Sequence, residues 1–226
     1  MAATASRSEE ATRIFLRPIA SPFPLGFSAL GTASLLVAGS ELGWFSGGDR
    51  TVVALVLVAL AFPLQLLSSV FGFLGRDSSA ATGFGVQAGV WMVVGLDRLL
   101  SAPGSTSSAL GVMLCAGAAW AGMCAIGAAM GKLIPAAVLM LVALRFLATG
   151  IYQLTSNKGV EHAAGVIGLS LVALCAYAVI ALEIESLQRR TVLPVFRRGA
   201  GLEAMHGSLV DQDRRLEHEP GVREQL

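Results

Sequence analysis

The sequence predicts an all-α membrane protein with six transmembrane helices and both termini in the cytoplasm. The chain has 226 residues, of which 54% are hydrophobic and only 14% are charged. A typical soluble domain has about 25% charged residues. Only 12 of the 31 charged side chains lie within residues 25–184, and the apolar runs there match the roughly 20 residues that one membrane span needs. This composition argues against a soluble enzyme, a disordered protein and a nucleic-acid binder, and a net charge of +1 favours no polyanionic partner.

Each predicted span is a continuous apolar run bounded by a loop rich in glycine, serine, proline or charge. The six spans cover residues 25–45, 51–74, 84–100, 109–130, 133–155 and 162–183. The spans of an outer-membrane barrel would instead alternate between apolar and polar residues over about ten positions, so helices are favoured. Pro63, inside the second span, predicts a kink because proline removes a backbone hydrogen bond.

The Lys and Arg residues of the short flanks predict the orientation in a cell membrane. Nine of them fall on the side of the termini: Arg7, Arg13, Arg17, Arg76, Lys132, Arg189, Arg190, Arg197 and Arg198. The other side has Arg50 and Lys158, with Arg98 near the membrane edge. Because positive residues accumulate in cytoplasmic loops, both termini are predicted to be cytoplasmic.

The chain divides into one membrane domain with two polar ends. Residues 1–20 form a polar N-terminal segment, residues 21–199 a six-helix transmembrane domain, and residues 200–226 a charged tail that is predicted to be disordered or partly helical. No nucleophile, base or phosphate-binding motif appears, so the protein is not predicted to be an enzyme. No metal or organic cofactor is implied, because the three cysteines lie in apolar runs without metal-site spacing.

Polar residues inside the spans are the first candidates for function, since a polar group in hydrocarbon usually faces a partner or a water-filled path. They form one-sided stripes on several helices, which suggests a lined conduit: Ser28 and Thr32; Gln65, Ser68 and Ser69; Gln87; Arg145, Thr149, Tyr152 and Gln153. Hydrogen bonding between helices is the alternative, especially for Ser and Thr. We interpret Gln65 and Gln87 as lining a pore or its vestibule.

Arg145 is unusual because it lies about 18 Å into its helix at 1.5 Å per residue. Asp97 lies at a similar predicted depth, so an Asp97–Arg145 ion pair is expected. Two alternatives remain open at this point: a positive charge that attracts anions to the conduit, and a side chain that snorkels to the membrane surface.

Three motifs, in order, resemble those of the acetate uptake transporter family, the succinate–acetate permeases. SPFPLGF (21–27) resembles N-P-x-P-L-G-L at the start of the first helix. HAAGVIGL (162–169) resembles H-x-A-G-x-I-G-L at the start of the sixth, and RRTVLPVFRRG (189–199) resembles the ending G-R-T-V-L-P-x-G. Gln65 and Trp91 also match, and the resemblance spans residues 18–199.

The resemblance implies a homohexamer of six-helix protomers, each with its own path for acetate, succinate or another small carboxylate. Family members are proton-coupled transporters or anion channels. In the family, three residues narrow the path, and they correspond here to Leu30, Gln87 and Val142. The entrance motif corresponds to Ser21, Pro22, Pro24, Leu25 and Gly26, of which Pro24 fits the first turn of a helix.

Two family aromatics are absent from the constriction, because Leu30 replaces a phenylalanine and Gln87 a tyrosine. The gate is therefore expected to be less aromatic and wetter, and hydrophobic gates close by dewetting. Two rival functions stay open. One is a channel for a small neutral solute that hydrogen-bonds to Gln65 and Gln87, and the other is a non-transporting scaffold or sensor that works through its charged tail.

Overall fold

The computed structural model describes residues 19–207, and within that range every regular element is a helix. The helices are α1 (Phe23–Glu41), α2 (Asp49–Leu74), α3 (Ser78–Leu100), α4 (Ser108–Ala129), α5 (Leu133–Thr155), α6 (Lys158–Gln188) and α7 (Gly199–His206). In this part of the chain, α1 to α6 are the six helices long and apolar enough to cross a membrane. The predicted fold class is therefore confirmed.

Helix ends differ from the predicted ones where a cap or a turn overrides hydropathy. α3 begins at Ser78 rather than at residue 84, because the Asp77 side chain caps it by accepting a hydrogen bond from the Ala80 amide at 3.0 Å. α1 ends at Glu41 rather than at residue 45. The following turn reverses the chain through Gly43, whose φ of 75° favours glycine.

The irregularity predicted at Pro63 lies just before it, as a π-helical segment over Leu57–Ala61. The Phe62 amide bonds to the Leu57 carbonyl, five residues back. Proline has no amide hydrogen and its ring collides with the preceding turn, so a wider turn upstream accommodates it.

The six long helices form a ring, since each packs against the next in chain order and α6 packs against α1. The inward faces of the helices therefore surround one axis. Glycines allow close approach between neighbours: a Cβ on Gly72 of α2 would lie 2.6 Å from the Ala81 amide of α3. Such contacts stabilise helix packing in lipid, where no hydrophobic effect drives it.

The segment after α6 folds back onto the bundle at the start of α5. The Arg198 amide donates to the Gly131 carbonyl at 2.8 Å, and Val195 is fully buried. Glu185 forms an ion pair with Arg197 and accepts a hydrogen bond from Thr191 at 2.8 Å. The RTVLP motif thus ends the membrane domain by covering one end of the ring.

The two ends of the ring differ in their residues. The start of α1, the turn at Lys132 and the segment after α6 lie at one end, here named the Lys132 end. The end of α1 and the start of α6 lie at the other, here named the Glu41 end. The predicted tail begins with α7, while residues 1–18 and 208–226 lie outside the described residues.

Candidate functional site

Three helix faces turn toward the axis of the ring, and they carry most of the predicted path residues. These faces consist of Gly26, Leu30, Ser34 and Glu41 on α1; Phe84, Gln87 and Trp91 on α3; and Val142, Arg145 and Thr149 on α5. Leu30, Gln87 and Val142 are all fully buried. The positions follow the three- and four-residue spacing that puts side chains on one face of a helix.

At the Lys132 end, a cleft of about 340 Å³ opens beside the start of α1. Lys132 donates to the Asp77 carboxylate at 3.3 Å and lies 4.5 Å above the ring of Phe23. A second cleft of about 370 Å³ adjoins it, lined by Ser21, Arg189 and Arg197 among others. Both clefts contain Lys132 and Arg197, and each of these cations is paired with a carboxylate, Asp77 or Glu185.

Three phenylalanines close the Lys132 end of the axis. Phe23, Phe27 and Phe84 are buried, with ring centroids 5.4–5.8 Å apart in tilted and edge-to-face contacts. Phe27 lies one turn from Leu30, and Phe84 lies one turn from Gln87. The core is therefore more aromatic than the two family replacements suggested, because the aromatics lie one turn away from the predicted constriction.

Next to the aromatic cluster lies a buried pair of amides. Gln65 of α2 donates through Nε2 to Gln87 Oε1 at 3.0 Å and to the Gly26 carbonyl at 3.4 Å. Within the described residues, Gln65 Oε1 and Gln87 Nε2 have no hydrogen-bond partner. The pair thus links α1, α2 and α3 and leaves one acceptor and one donor uncommitted.

The entrance motif contributes backbone and packing rather than polar side chains. Pro22 caps α1, and Pro24 lies in its first turn as predicted. Gly26 fits against the ring of Phe84, which a Cβ there would approach to 2.4 Å. Ser21 and Leu25 are exposed, although Ser21 borders the second cleft.

The predicted Asp97–Arg145 ion pair is wrong, because Arg145 pairs with Glu41. Arg145 Nη2 donates to Glu41 Oε2 at 3.1 Å, and Thr149 Oγ1 donates to Glu41 Oε1 at 3.0 Å. The side chains of Arg145 and Glu41 are only 2% and 4% exposed. Asp97 instead accepts a hydrogen bond from Ser101 at 2.8 Å. Similar depth did not predict the partner of Arg145, since the Asp97 carboxylate bonds within its own helix segment and Glu41 of α1 reaches the guanidinium.

A cleft of about 290 Å³ at the Glu41 end leads to this pair. Glu41 and Thr149 line it, together with the charged residues Arg50, Asp97, Arg98 and Glu161. The turn after α1 folds back here, because the Trp44 amide bonds to the Gly39 carbonyl at 2.8 Å. The rings of Trp44 and Phe45 then pack over Gly39.

Between the clefts of the two ends, a series of buried polar atoms has no partner in the described part of the chain. These atoms are Ser34 Oγ, Gln65 Oε1, Gln87 Nε2, Trp91 Nε1 and Arg145 Nη1. Four of the five can donate a hydrogen bond. Nearly all buried polar groups in proteins are paired, so such a series calls for an explanation.

Four other residues of the predicted polar stripes have hydrogen-bond partners. Ser28 and Thr32 are exposed, and each bonds to a carbonyl of its own helix. Ser69 joins α2 to α3 by donating to the Ala81 carbonyl at 2.6 Å, and Gln153 accepts from the Ser107 amide at 2.9 Å. These residues hydrogen-bond within or between helices.

Sequence reasoning missed Glu41, Ser34 and the phenylalanine cluster. Glu41 was inside the predicted first span, seven residues after Ser34 and eleven after Leu30, so helical spacing put all three on one face. This signal was sufficient to find Glu41 as an intramembrane acid. Among residues 19–207, no group of three or more His, Cys, Asp or Glu side chains could hold a metal ion.

Comparison with known proteins identifies the fold. No family model matches the sequence, and no curated protein matches it. Among solved structures, the chain is similar to the structure of the bacterial acetate channel SatP, with a TM-score of 0.70 and 20% identity over 79% of this chain and 99% of that one. The chain therefore shares the fold of that structure.

Proposed function

We propose that the protein carries small carboxylates, with acetate as the first substrate to test, through the axis of its helix ring. The observation that supports this most is the series of uncommitted donors on Ser34, Gln87, Trp91 and Arg145 between the two clefts. A carboxylate only accepts hydrogen bonds, so such donors can replace the water that it loses. The fold similarity to an acetate channel agrees with this assignment.

In this proposal, Leu30, Gln87 and Val142 form the constriction, with the phenylalanine cluster beside it toward the Lys132 end. Leu30, Gln87 and Val142 are all fully buried on the inward faces of their helices. The protein lies in the cell membrane with its Lys132 end toward the cytoplasm. The protomers assemble as a homohexamer, as the family resemblance implies. Succinate and other short-chain acids are the further substrates to compare.

The experiment is uptake of labelled acetate by liposomes that contain the full chain, with protein-free liposomes to measure diffusion of acetic acid. Saturable uptake that propionate reduces is expected. Gln87→Tyr should restrict the substrates toward acetate and Gln87→Ala should widen them, while Ser28→Ala on the exposed face of α1 serves as the matched control. Uptake no faster than in protein-free liposomes would contradict the proposal.

A neutral solute is a second candidate, because the amide pair offers one free acceptor on Gln65 and one free donor on Gln87. A small amide such as urea could bind both atoms. Urea competition, with flux that responds neither to membrane potential nor to pH, would favour this function over carboxylate transport.

A further inference from the structure

Neither Glu41 nor Arg145 lies in the motifs that carry the family resemblance, although both are buried on the axis of the ring. We propose that Arg145 is a carboxylate-binding residue of the path, with Glu41 as its resident counter-ion, and that Glu41 takes up a proton when a substrate carboxylate replaces it. This inference rests on the proposed function and adds a binding residue and a coupling reaction to it.

The positions of Glu41 and Arg145 relative to the cleft suit the replacement of Glu41 by a substrate carboxylate. Glu41 and Thr149 line the cleft at the Glu41 end, while the guanidinium of Arg145 lies behind the carboxylate with 2% exposure. An anion that enters this cleft therefore meets Glu41 before it meets Arg145. Arg145 is one turn from Val142, so binding takes place on the Glu41 side of the predicted constriction.

Arg145 has capacity for a second ligand. Its Nη2 donates to Glu41, but its Nη1 has no partner among residues 19–207. Nη1 lies against Gly168 of α6, where a Cβ would come within 1.6 Å of it. A guanidinium binds a carboxylate best through two parallel N–H groups, and Glu41 uses only one nitrogen.

Charge balance links the substrate to a proton. Glu41 and Arg145 together are neutral, and a second carboxylate would leave an uncompensated negative charge in a buried place, which is costly. A proton from water in the cleft, added to a Glu41 oxygen, removes that charge. The Arg145–Glu41 hydrogen bond breaks and bonds from Arg145 to the substrate form, and release of the substrate and the proton reverses both steps. One proton thus accompanies one carboxylate.

Charged groups from several helices face Glu41 and modify this balance. Arg145 of α5 is in contact with it, and the cleft around it carries Arg50 of α2, Asp97 and Arg98 of α3, and Glu161 of α6. Glu161 is paired with Lys158 at 2.7 Å. Arg50 and Arg98 at the cleft attract the incoming anion. Of the three arginines, Arg145 is the one that contacts Glu41 directly.

The experiment compares four full-length proteins in liposomes: the wild type, Glu41→Gln, Glu41→Gln combined with Arg145→Gln, and Glu183→Gln. Gln at position 41 mimics the protonated acid and still accepts from Thr149. The double variant leaves no stranded charge, so it tests Arg145 without the instability of a single change. Glu183 is an exposed α6 carboxylate near the opposite end, and its variant is the matched control. Labelled acetate uptake is measured at acidic and neutral pH, with and without an imposed membrane potential.

In the wild type and in Glu183→Gln, we expect uptake that ignores the potential and a half-saturating acetate concentration that rises about tenfold per pH unit. In Glu41→Gln, uptake should respond to the potential and lose this pH dependence. In the double variant, the half-saturating concentration should rise about tenfold over that of Glu41→Gln. If the wild type transports acetate while Glu41→Gln keeps its pH dependence and its indifference to potential, the inference is overturned. If the wild type transports no carboxylate, the proposed function itself fails.

Discussion

Two cation–carboxylate pairs, one near each end of the ring, have nearly equal lengths and yet differ physically. Lys132 and Asp77 are 3.3 Å apart, with side chains 20% and 31% exposed, whereas Arg145 and Glu41 are 3.1 Å apart and 2% and 4% exposed. Water screens the first pair, so the attraction between Lys132 and Asp77 contributes little to stability. The second pair is shielded from water, so removal of either charge leaves the other one buried without a counter-ion. Burial, rather than the distance between the charged atoms, decides how strongly the two charges of each pair depend on each other.

The largest effect should appear in labelling of the two ends, because it is all or none. In a variant without native cysteines, Ser46→Cys at the Glu41 end should react with an impermeant maleimide on intact cells. Arg189→Cys at the Lys132 end should react only after the membrane is opened, since the positive residues predict a cytoplasmic location for it. Labelling of position 189 from outside would reverse the orientation of the two ends.

Breaking the buried pair should strongly destabilise the protein. Arg145→Leu leaves Glu41 charged and buried, which typically costs about 3–5 kcal/mol. The expected result is little monodisperse protein in detergent, and Glu41→Leu added to it should restore part of the yield. Asp97→Leu should restore none, because Asp97 bonds to Ser101 instead. Wild-type yield and melting temperature for Arg145→Leu alone would show that Glu41 needs no counter-ion.

A larger side chain at Gly168, which packs against the Arg145 guanidinium, tests the position of the same pair sterically. In Gly168→Ala, the new methyl would lie 1.6 Å from Arg145 Nη1 and 2.9 Å from Ala38 Cβ. Overpacking of this kind costs about 1–3 kcal/mol, measurable as a lower melting temperature in detergent. Gly89→Ala is the matched control, since its Cβ meets nothing within 4 Å among the described residues. Equal melting temperatures for the two variants would contradict the close approach of Arg145 to α6.

The amide pair between the ends should have an intermediate effect. Gln65→Leu removes the donor to Gln87 and to the Gly26 carbonyl and leaves the buried Oε1 of Gln87 unpaired, at a cost of about 1–3 kcal/mol. Thermal unfolding should show this loss, whereas Ser28→Ala on the exposed face should change stability by less than about 0.5 kcal/mol. If Gln65→Leu unfolds at the same temperature as the wild type, the amide pair does not join α1 to α3.

The exposed pair should give the smallest effect. Lys132→Met removes the bond to Asp77 but keeps most of the apolar stem, so a loss of about 0.2–1 kcal/mol is expected. Added salt should reduce the difference from wild type, since exposed charges are screened. A loss as large as that of Arg145→Leu would remove the distinction between the two ends.

Much of the fold was predictable because the bilayer imposes a simple rule on composition. A span needs about 20 apolar residues, so the six helices were found from hydropathy, and α5 has the predicted bounds, Leu133–Thr155. Helix ends were predicted less well, because they depend on caps such as Asp77 and on the turn after Glu41. Leu30, Gln87 and Val142 are fully buried, and their role as a constriction stays a prediction.

The sequence by itself determined which residues enter the membrane and which helix face each occupies, because hydropathy and helical periodicity are local properties of the chain. Only the tertiary structure decided which charge meets Arg145. Asp97 and Glu41 are both acids near the same end, and depth along a helix does not report which helices are close across the ring. The placement of Gly168 beneath the guanidinium and of Glu41 between it and the cleft arises from packing of α1, α5 and α6, residues distant in sequence.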